Sequence, residues 1–291
     1  MNASLPTKSR EMRFPELDTV KGRHPQAFRA NVKRRATTIG VGVFLVGLYI
    51  FGLSTLGFEP ERLADGFKNF VWIVGLMLPP NPGTVNIALV FLKGLVETLS
   101  MAFLGTICAA ILALPFGFLA ARNIVKNSIL HLLARRFLDI IRGIDTLIWA
   151  LIWIGVVGLG PFAGVLAIIT SDFGAFGKLF SEAIEAADDK PVEGVVSTGA
   201  TRLEAIRFGI VPQILPIIVS QLLYFFESNT RSATIIGIVG AGGIGLYLTE
   251  TIRTLEWKQT SFIIIMVLVT VAIIDILSSK LRTALIGARP V

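Results

Sequence analysis

Along the chain, apolar residues fall into long unbroken runs and polar residues into short clusters between them. No residue between Arg35 and Glu59 is charged, and about 20 apolar residues suffice for a helix to cross the hydrocarbon layer, so 37–57 is expected to be a first span. Residues 58–94 mix charge, proline and glycine, and their apolar piece, Val71 to Leu78, is too short to cross. They are expected to form an external loop with room for interfacial helices. Thr98 to Ala121 is again uncharged and gives a second span, followed by the basic residues Arg122, Lys126, Arg135 and Arg136. The stretch 137–187 is interrupted by Gly158-Leu159-Gly160-Pro161, a turn signal. It divides there into third and fourth spans whose far ends carry Asp139, Arg142, Asp145, Asp172 and Lys178. Phe208 to Phe226 and Gln259 to Ser278 supply the fifth and sixth.

Between the last two spans, Ser232 to Thr249 is uncharged and nearly long enough to cross, but it holds Gly237, Gly240, Gly242, Gly243 and Gly245. Each glycine costs about 1 kcal/mol against alanine in a helix. The segment is therefore read as irregular backbone, re-entrant or spanning, which at membrane depth is tolerated only where protein buries it or it lines a wet cavity. The expected fold is all-α and polytopic with about six transmembrane helices. Its parts are a tail at 1–36, a first helix at 37–57, an external loop at 58–94, a transmembrane core at 95–279 and a tail at 280–291.

Composition narrows the function classes. Of 291 residues 53% are hydrophobic and 16% charged, whereas soluble domains carry about 25% charged residues. A single cysteine, Cys108, and two distant histidines, His24 and His131, leave no disulfide framework and no metal centre, and no cofactor is expected. The net charge of +7 could attract nucleic acid if the basic residues shared one face, but they sit in clusters between apolar runs. Membrane topology explains them: with the N-terminus inside, most Lys and Arg fall on the cytoplasmic side, so membrane lipid and not nucleic acid is the expected partner. The polar N-terminal stretch leads into no short apolar segment with a small-residue cleavage site, and both termini are expected to be cytoplasmic.

The most informative polar segment is the expected cytoplasmic loop 185–209 and its continuation, Val192-Glu193-Gly194-Val195-Val196-Ser197-Thr198-Gly199-Ala200-Thr201-Arg202-Leu203-Glu204-Ala205-Ile206-Arg207-Phe208-Gly209-Ile210-Val211-Pro212. It reads as two short helices hinged at Gly199. Glycine accepts the left-handed conformation that ends a helix, and Pro212 suits the first turn of the next one. This segment resembles the cytoplasmic loop of permeases of binding-protein-dependent ABC importers, where a Glu-Ala-Ala is followed by a glycine six residues after the Glu and a Leu-Pro eighteen and nineteen after it. Glu193, Gly199 and Pro212 fall at those spacings. Gly194 and Val195 stand for the alanines, Gly209 for the usual isoleucine and Val211 for the leucine. A literal Glu185-Ala186-Ala187 also occurs, but its glycine position is Pro191.

Val157-Gly158-Leu159-Gly160-Pro161-Phe162-Ala163-Gly164-Val165-Leu166 and Phe226-Glu227-Ser228-Asn229-Thr230-Arg231-Ser232-Ala233-Thr234, continuing to Gly245, resemble the phosphonate and phosphite branch of that family. The resemblance covers about Leu95 to Arg282. It implies a type I ABC importer permease fold in a bacterial inner membrane. It also implies a second permease copy, identical or a close paralogue, two ABC ATPase subunits and an extracytoplasmic substrate-binding protein. Glu193, Gly199, Arg202 and Pro212 are then the expected ATPase-coupling residues, Arg202 being equally suited to a solvated helix face. Glu227, Arg231, Gly240, Gly242, Gly243 and Gly245 are candidates for a pore or gate. For Glu227 and Arg231 a plain i,i+4 ion pair is the alternative, and for the glycines close helix packing. Arg142, three residues from both Asp139 and Asp145, is expected to be neutralised by them.

The chain has no Gly-x-x-x-x-Gly-Lys-Ser/Thr loop to hold ATP phosphates and no convergent catalytic set, so it is not expected to be an enzyme. The alternatives are an ABC permease for another small solute and a self-sufficient secondary transporter. The latter usually shows an internal repeat and mid-membrane ionisable residues; no repeat is found, and the deepest runs are read as uncharged.

Overall fold

A computed structural model describes residues 32–286. The expected N-terminal tail lies outside the described residues as far as 31, as do 287–291 of the expected C-terminal tail. Among the described residues every regular element is helical. Five helices are long and apolar enough to cross a membrane, and a bent pair supplies a sixth span if counted as one.

Among the described residues the chain divides into two compact units, one up to Phe70 and one from Val71 onward. In the first, α1 (Val32–Thr55) holds the uncharged run, and α2 (Pro60–Leu76) begins beside an Arg62–Glu59 ion pair of 2.8 Å. A helix thus occupies much of the expected external loop.

The second unit is built on α3 (Val85–Ala120), whose first turn is capped by the Thr84 hydroxyl. At 1.5 Å per residue its 36 residues extend about 54 Å. It begins thirteen residues before the expected Thr98, because Lys93 and Glu97 interrupt the apolar run without interrupting the backbone ladder; Lys93 simply faces outward. Its buried stripe is made mostly of small residues, among them Gly94, Thr98, Ala102, Gly105, Ala109, Ala113 and Gly117. Lipid offers no hydrophobic drive between helices, so close backbone approach through small residues supplies the packing. A Cβ on Gly105 would meet Ile168 at 2.6 Å, and one on Gly117 would meet Phe180 at 2.8 Å. Both neighbours belong to α6 (Pro161–Glu185).

Between them lie α4 (Ser128–Arg142) and α5 (Thr146–Val157), bent 84° from each other. The bend comes from Gly143, which ends α4, and Asp145, whose carboxylate accepts from Leu147 N at 2.8 Å and starts α5. The expected ion-pair cluster forms around Asp139, where Arg142 adds to the positive field, but among the described residues Arg142 makes no close ion pair with Asp139 or Asp145. Asp145 is spent as a helix cap, and Asp139 pairs with Lys178 at 3.1 Å and Arg136 at 3.5 Å.

The next elements are α7 (Asp189–Val196) and α8 (Arg202–Ala205), a wide π turn (Ile206–Ile210), α9 (Val211–Ile236), a second wide turn (Gly237–Ala241), α10 (Ile244–Arg253) and α11 (Trp257–Ile286). A core of Ala109, Ala113, Phe176, Phe180, Ile184, Ile214 and Ile218 joins α3, α6 and α9.

The glycine-rich run is broken backbone: Gly240, Gly242 and Gly243 take φ of +107°, +82° and +70°, a region that residues with a Cβ rarely enter. It packs against the other break, with Gly160 N donating to the Gly240 carbonyl at 3.0 Å. The Thr98 hydroxyl accepts from Ile244 N at 2.8 Å and satisfies the start of α10.

Gly245→Ala is expected to be destabilising, because the added methyl would collide with the Thr234 carbonyl oxygen and lie 2.8 Å from Gly237 Cα. Overpacking of this kind costs about 1–3 kcal/mol. Gly155→Ala, with nothing within 4 Å of its Cβ position, should leave stability unchanged or slightly raised. Thermal unfolding of the two variants in one detergent separates them, and equal melting temperatures would mean that the break is not tightly packed.

Candidate functional site

The loop singled out by sequence folds into a compact hairpin. Asp188 caps α7 through Lys190 N at 3.1 Å, and Ser197 N returns to the Glu193 carbonyl at 2.9 Å. The chain then reverses at Gly199, whose φ is +85°. Thr201 and Glu204 form a reciprocal capping box, with the Glu204 carboxylate accepting from Thr201 N at 2.7 Å. Pro212 was expected to open a separate helix. Pro212 does stand in the first turn of α9, but α8, the π turn and α9 run on as one helical rod from Arg202 to Ile236. Pro212 lacks an N–H, and the turn before it widens so that Val211 N reaches the Ile206 carbonyl.

The hairpin is held firmly to this rod. Gln213 accepts from Asp188 N at 3.0 Å and donates to the Asp188 and Gly209 carbonyls at 3.1 and 2.7 Å. A Cβ on Gly209 would stand 3.0 Å from Val192 Cα, so α7 lies directly on the turn. Arg202 donates to the Ile124 carbonyl and ties the hairpin to the end of α3. The outer surface is open: Glu193 is exposed, as are the apolar side chains of Val196, Leu203 and Phe208. A concavity of about 620 Å³ is lined by Pro191, Gly194, Val195, Thr198, Gly199 and Phe208, among others.

Glu185 lies elsewhere. Its carboxylate accepts from Arg122 N at 2.8 Å and Arg135 Nη2 at 2.7 Å, clamping the middle of α4 to the C-terminal ends of α3 and α6. His131 is buried beside this clamp.

A second polar locus lies inside the helical core. Asp172, in the middle of α6, is 5% exposed. Asn229 on α9 donates through its amide to Asp172 Oδ2 and to the Thr106 hydroxyl of α3 at 2.8 Å. The Thr106 hydroxyl passes the hydrogen bond on to the Ala102 carbonyl at 2.7 Å. Among the described residues no lysine or arginine pairs with Asp172. Sequence reading put Asp172 at a span's far end and left the deepest runs uncharged; the structure corrects both, because α6 runs unbroken from Pro161 to Glu185 with Asp172 near its midpoint. A carboxylate with apolar turns of helix on either side was the available signal.

Glu227, also on α9, is nearly buried and lies between Arg231 at 3.2 Å and Arg282 of α11 at 3.8 Å. One carboxylate facing two guanidinium groups leaves a local positive excess, and Arg231 is half exposed. Of the glycine candidates, Gly242, Gly243 and Gly245 are buried in contacts within the chain, against Pro161, Thr98 and Thr234, while Gly240 is part-exposed. Among the described residues no three His, Cys, Asp or Glu side chains come together to hold a metal.

Comparison with known proteins follows this geometry. Residues 113–286 match the family model of the binding-protein-dependent transport system inner membrane component. The chain is 37% identical over 261 residues to HtxC of Stutzerimonas stutzeri, named for a phosphite transport system, covering 90% of this chain and 92% of that one. It is 34% identical over 259 residues to the phosphate-import permease protein PhnE of Mycolicibacterium smegmatis, covering 89% of this chain and 48% of that relative. Among solved structures it is similar to a chain of the inward-facing MetNI methionine ABC transporter, with a TM-score of 0.61 and 19% identity over 70% of this chain and 99% of that chain.

Removing the Asp172 carboxyl would leave the Asn229 amide short of an acceptor in a buried site, a loss of about 1–3 kcal/mol. Asp172→Ala should therefore lower the thermal midpoint, whereas Asp172→Asn, which keeps an acceptor oxygen, should lose much less. If the two substitutions melt together at the wild-type temperature, the three-helix hydrogen bond contributes nothing to stability.

Proposed function

Because the chain belongs to the family of inner membrane components of binding-protein-dependent transport systems, we propose that it is the permease subunit of an ABC importer for a small phosphorus oxyanion: a phosphonate, phosphite or phosphate ester. ATP is hydrolysed by a separate subunit. The observation that carries the mechanism is the helical rod from Arg202 to Ile236, which runs from the exposed hairpin to the polar residues Asn229 and Arg231.

In this reading the hairpin seats in the ATPase. Val196, Leu203 and Phe208 supply apolar contact area, Glu193 and Arg202 supply charge, and Gly199 sets the turn. Closure of two ATPase subunits then moves the rod as a rigid body, since Gln213 and the Gly209 contact leave the hairpin little freedom of its own. The basic residues at this end, Arg122, Lys126, Arg135, Arg136 and Arg207, put it in the cytoplasm by the positive-inside rule, with both termini on that side of a bacterial inner membrane. Two permease copies and an external binding protein complete the importer.

The anion reading draws support from the names of the relatives and from the positive excess around Glu227. Arg231 is its candidate oxyanion contact, because a guanidinium presents several donors in the fork that phosphorus oxyanions accept. Gly240, with exposed Ile235 and Ile238 beside it, would face the path, and Gly242, Gly243 and Gly245 would hold the gate's backbone from within. Asp172 removes one argument against a secondary transporter, since it is ionisable and buried mid-helix. Family membership still favours an ATP-driven importer.

Transport of phosphonate or phosphite into proteoliposomes holding the permease, its ATPase and its binding protein is expected to require ATP. Gly199→Val should abolish uptake and stimulated ATP hydrolysis while inserting normally, because a side chain in the left-handed region costs about 1–2 kcal/mol and alters the turn. Glu193→Ala should weaken ATPase association modestly and leave melting unchanged. Glu185→Ala should lower the melting temperature, because it opens the clamp with Arg135. Uptake that survives Gly199→Val at the wild-type rate would sink the coupling assignment.

A further inference from the structure

We propose that the junction of α3 and α4 is a binding site for the phosphate headgroup of an anionic phospholipid. A cavity of about 500 Å³ opens there, lined by Arg122, Val125, Lys126, Ser128, His131 and Leu132. Its polar lining consists of two cations, a hydroxyl and an imidazole, with no carboxylate among them. The nearby Glu185 is already committed to Arg122 N and Arg135, so it does not neutralise the pair of cations.

The imidazole adds an independent observation. His131 is 7% exposed, and Arg122 Nε donates to its Nε2 at 3.1 Å. A guanidinium in a protein has no lone pair to offer, so Nε2 must be the acceptor and the ring proton resides on Nδ1. That Nδ1 has no hydrogen-bond partner in the structure. A buried donor left unpaired destabilises the fold. Phosphate oxygens in the adjoining cavity would pair with the lysine, the guanidinium and the hydroxyl of its lining, next to this unsatisfied imidazole.

The lipid is favoured over a soluble phosphate by what surrounds the cations. Val125 and Leu132 form part of the wall, and Ile129 and Leu133 expose apolar side chains on the same first turns of α4. Basic residues beside an exposed apolar face are the arrangement of a helix end at the headgroup and acyl boundary. Basic pockets between membrane helices take anionic headgroups by the same chemistry. The site is also linked to the hairpin, because Arg202 donates to the Ile124 carbonyl in the same α3–α4 connection. Headgroup occupancy would therefore brace the part of the chain proposed to meet the ATPase.

The test reads lipid retention and not transport, so its failure leaves the importer assignment untouched. The purified full-length chain is titrated with phosphatidylglycerol or phosphatidylcholine in detergent, and bound lipid is counted by native mass spectrometry. Wild type should retain phosphatidylglycerol in preference to phosphatidylcholine. Lys126→Gln should weaken that retention about fivefold and Arg122→Gln/Lys126→Gln about 25-fold, following the contribution of one surface cation to anionic-lipid attraction. Lys126 is exposed, so the single variant guards against misfolding of the double one. Arg253→Gln/Lys258→Gln removes two charges near the α10–α11 turn and should change nothing. Equal retention by all variants, or an equal loss in the control, overturns the proposal. So does glycerol 3-phosphate or inorganic phosphate binding as tightly as the lipid, which would make the cavity a soluble-anion site.

Discussion

Inside a bilayer each backbone N–H and C=O must find its partner within the protein, because the hydrocarbon offers none and an unsatisfied group costs several kcal/mol. This constraint explains why α3 runs unbroken through Lys93 and Glu97, and why the breaks at 158–160 and 240–243 are packed on each other. Gly160 N reaches the Gly240 carbonyl and Ile244 N reaches the Thr98 hydroxyl. The glycines there admit positive φ and also let the backbones come close enough for those bonds to form. A broken helix at this depth is stable only because the second break and α3 supply its missing partners.

The same constraint shapes the rod that carries the proposed mechanism. Pro212 removes a donor from the ladder, and in water that would be a convenient place to end a helix. Here the turn widens and the helix continues from Arg202 to Ile236, with Pro216 inside it. Continuity has a mechanical consequence: a displacement applied at the hairpin is carried toward Asn229 along one helix. Asn229 in turn binds both α3 and α6 through Thr106 and Asp172, so movement of the rod must either carry those helices with it or exchange their hydrogen bonds. Because three buried polar groups share two amide hydrogen bonds, the alternative arrangements are few and discrete, which suits a transporter that alternates between states.

Much of this was legible from the sequence where local rules decide. Runs of uncharged residues marked the crossing helices, the glycine count marked the break, and the spacing of Glu193, Gly199 and Pro212 marked the hairpin. What was not legible depended on tertiary partners. Asp145 could be read as an ion-pair partner or a cap, and only the bend after Arg142 selects the cap. Glu185 and Glu193 both looked like candidates for one motif; spacing favoured Glu193 as the hairpin residue but gave no hint that Glu185 binds Arg122 and Arg135. Asp172 was assigned to a helix end because charge was assumed to avoid depth, yet two neutral hydrogen-bonding neighbours 66 and 57 residues away in sequence, Thr106 and Asn229, make that depth tolerable.

The contrast between Asp172 and Glu227 shows how this chain divides its polar roles. Asp172 meets only neutral groups, so nothing nearby compensates a full charge and the site works as a hydrogen-bond junction. Glu227 meets two guanidinium groups, one of them half exposed, so it is more than neutralised and its surroundings attract anions. Arg231 has therefore only part of its donor capacity used by Glu227, and the remainder faces outward. A carboxylate that steadies an arginine without satisfying it is what the proposed oxyanion contact at Arg231 requires, because a guanidinium fully used inside the protein would have no donor left for a ligand.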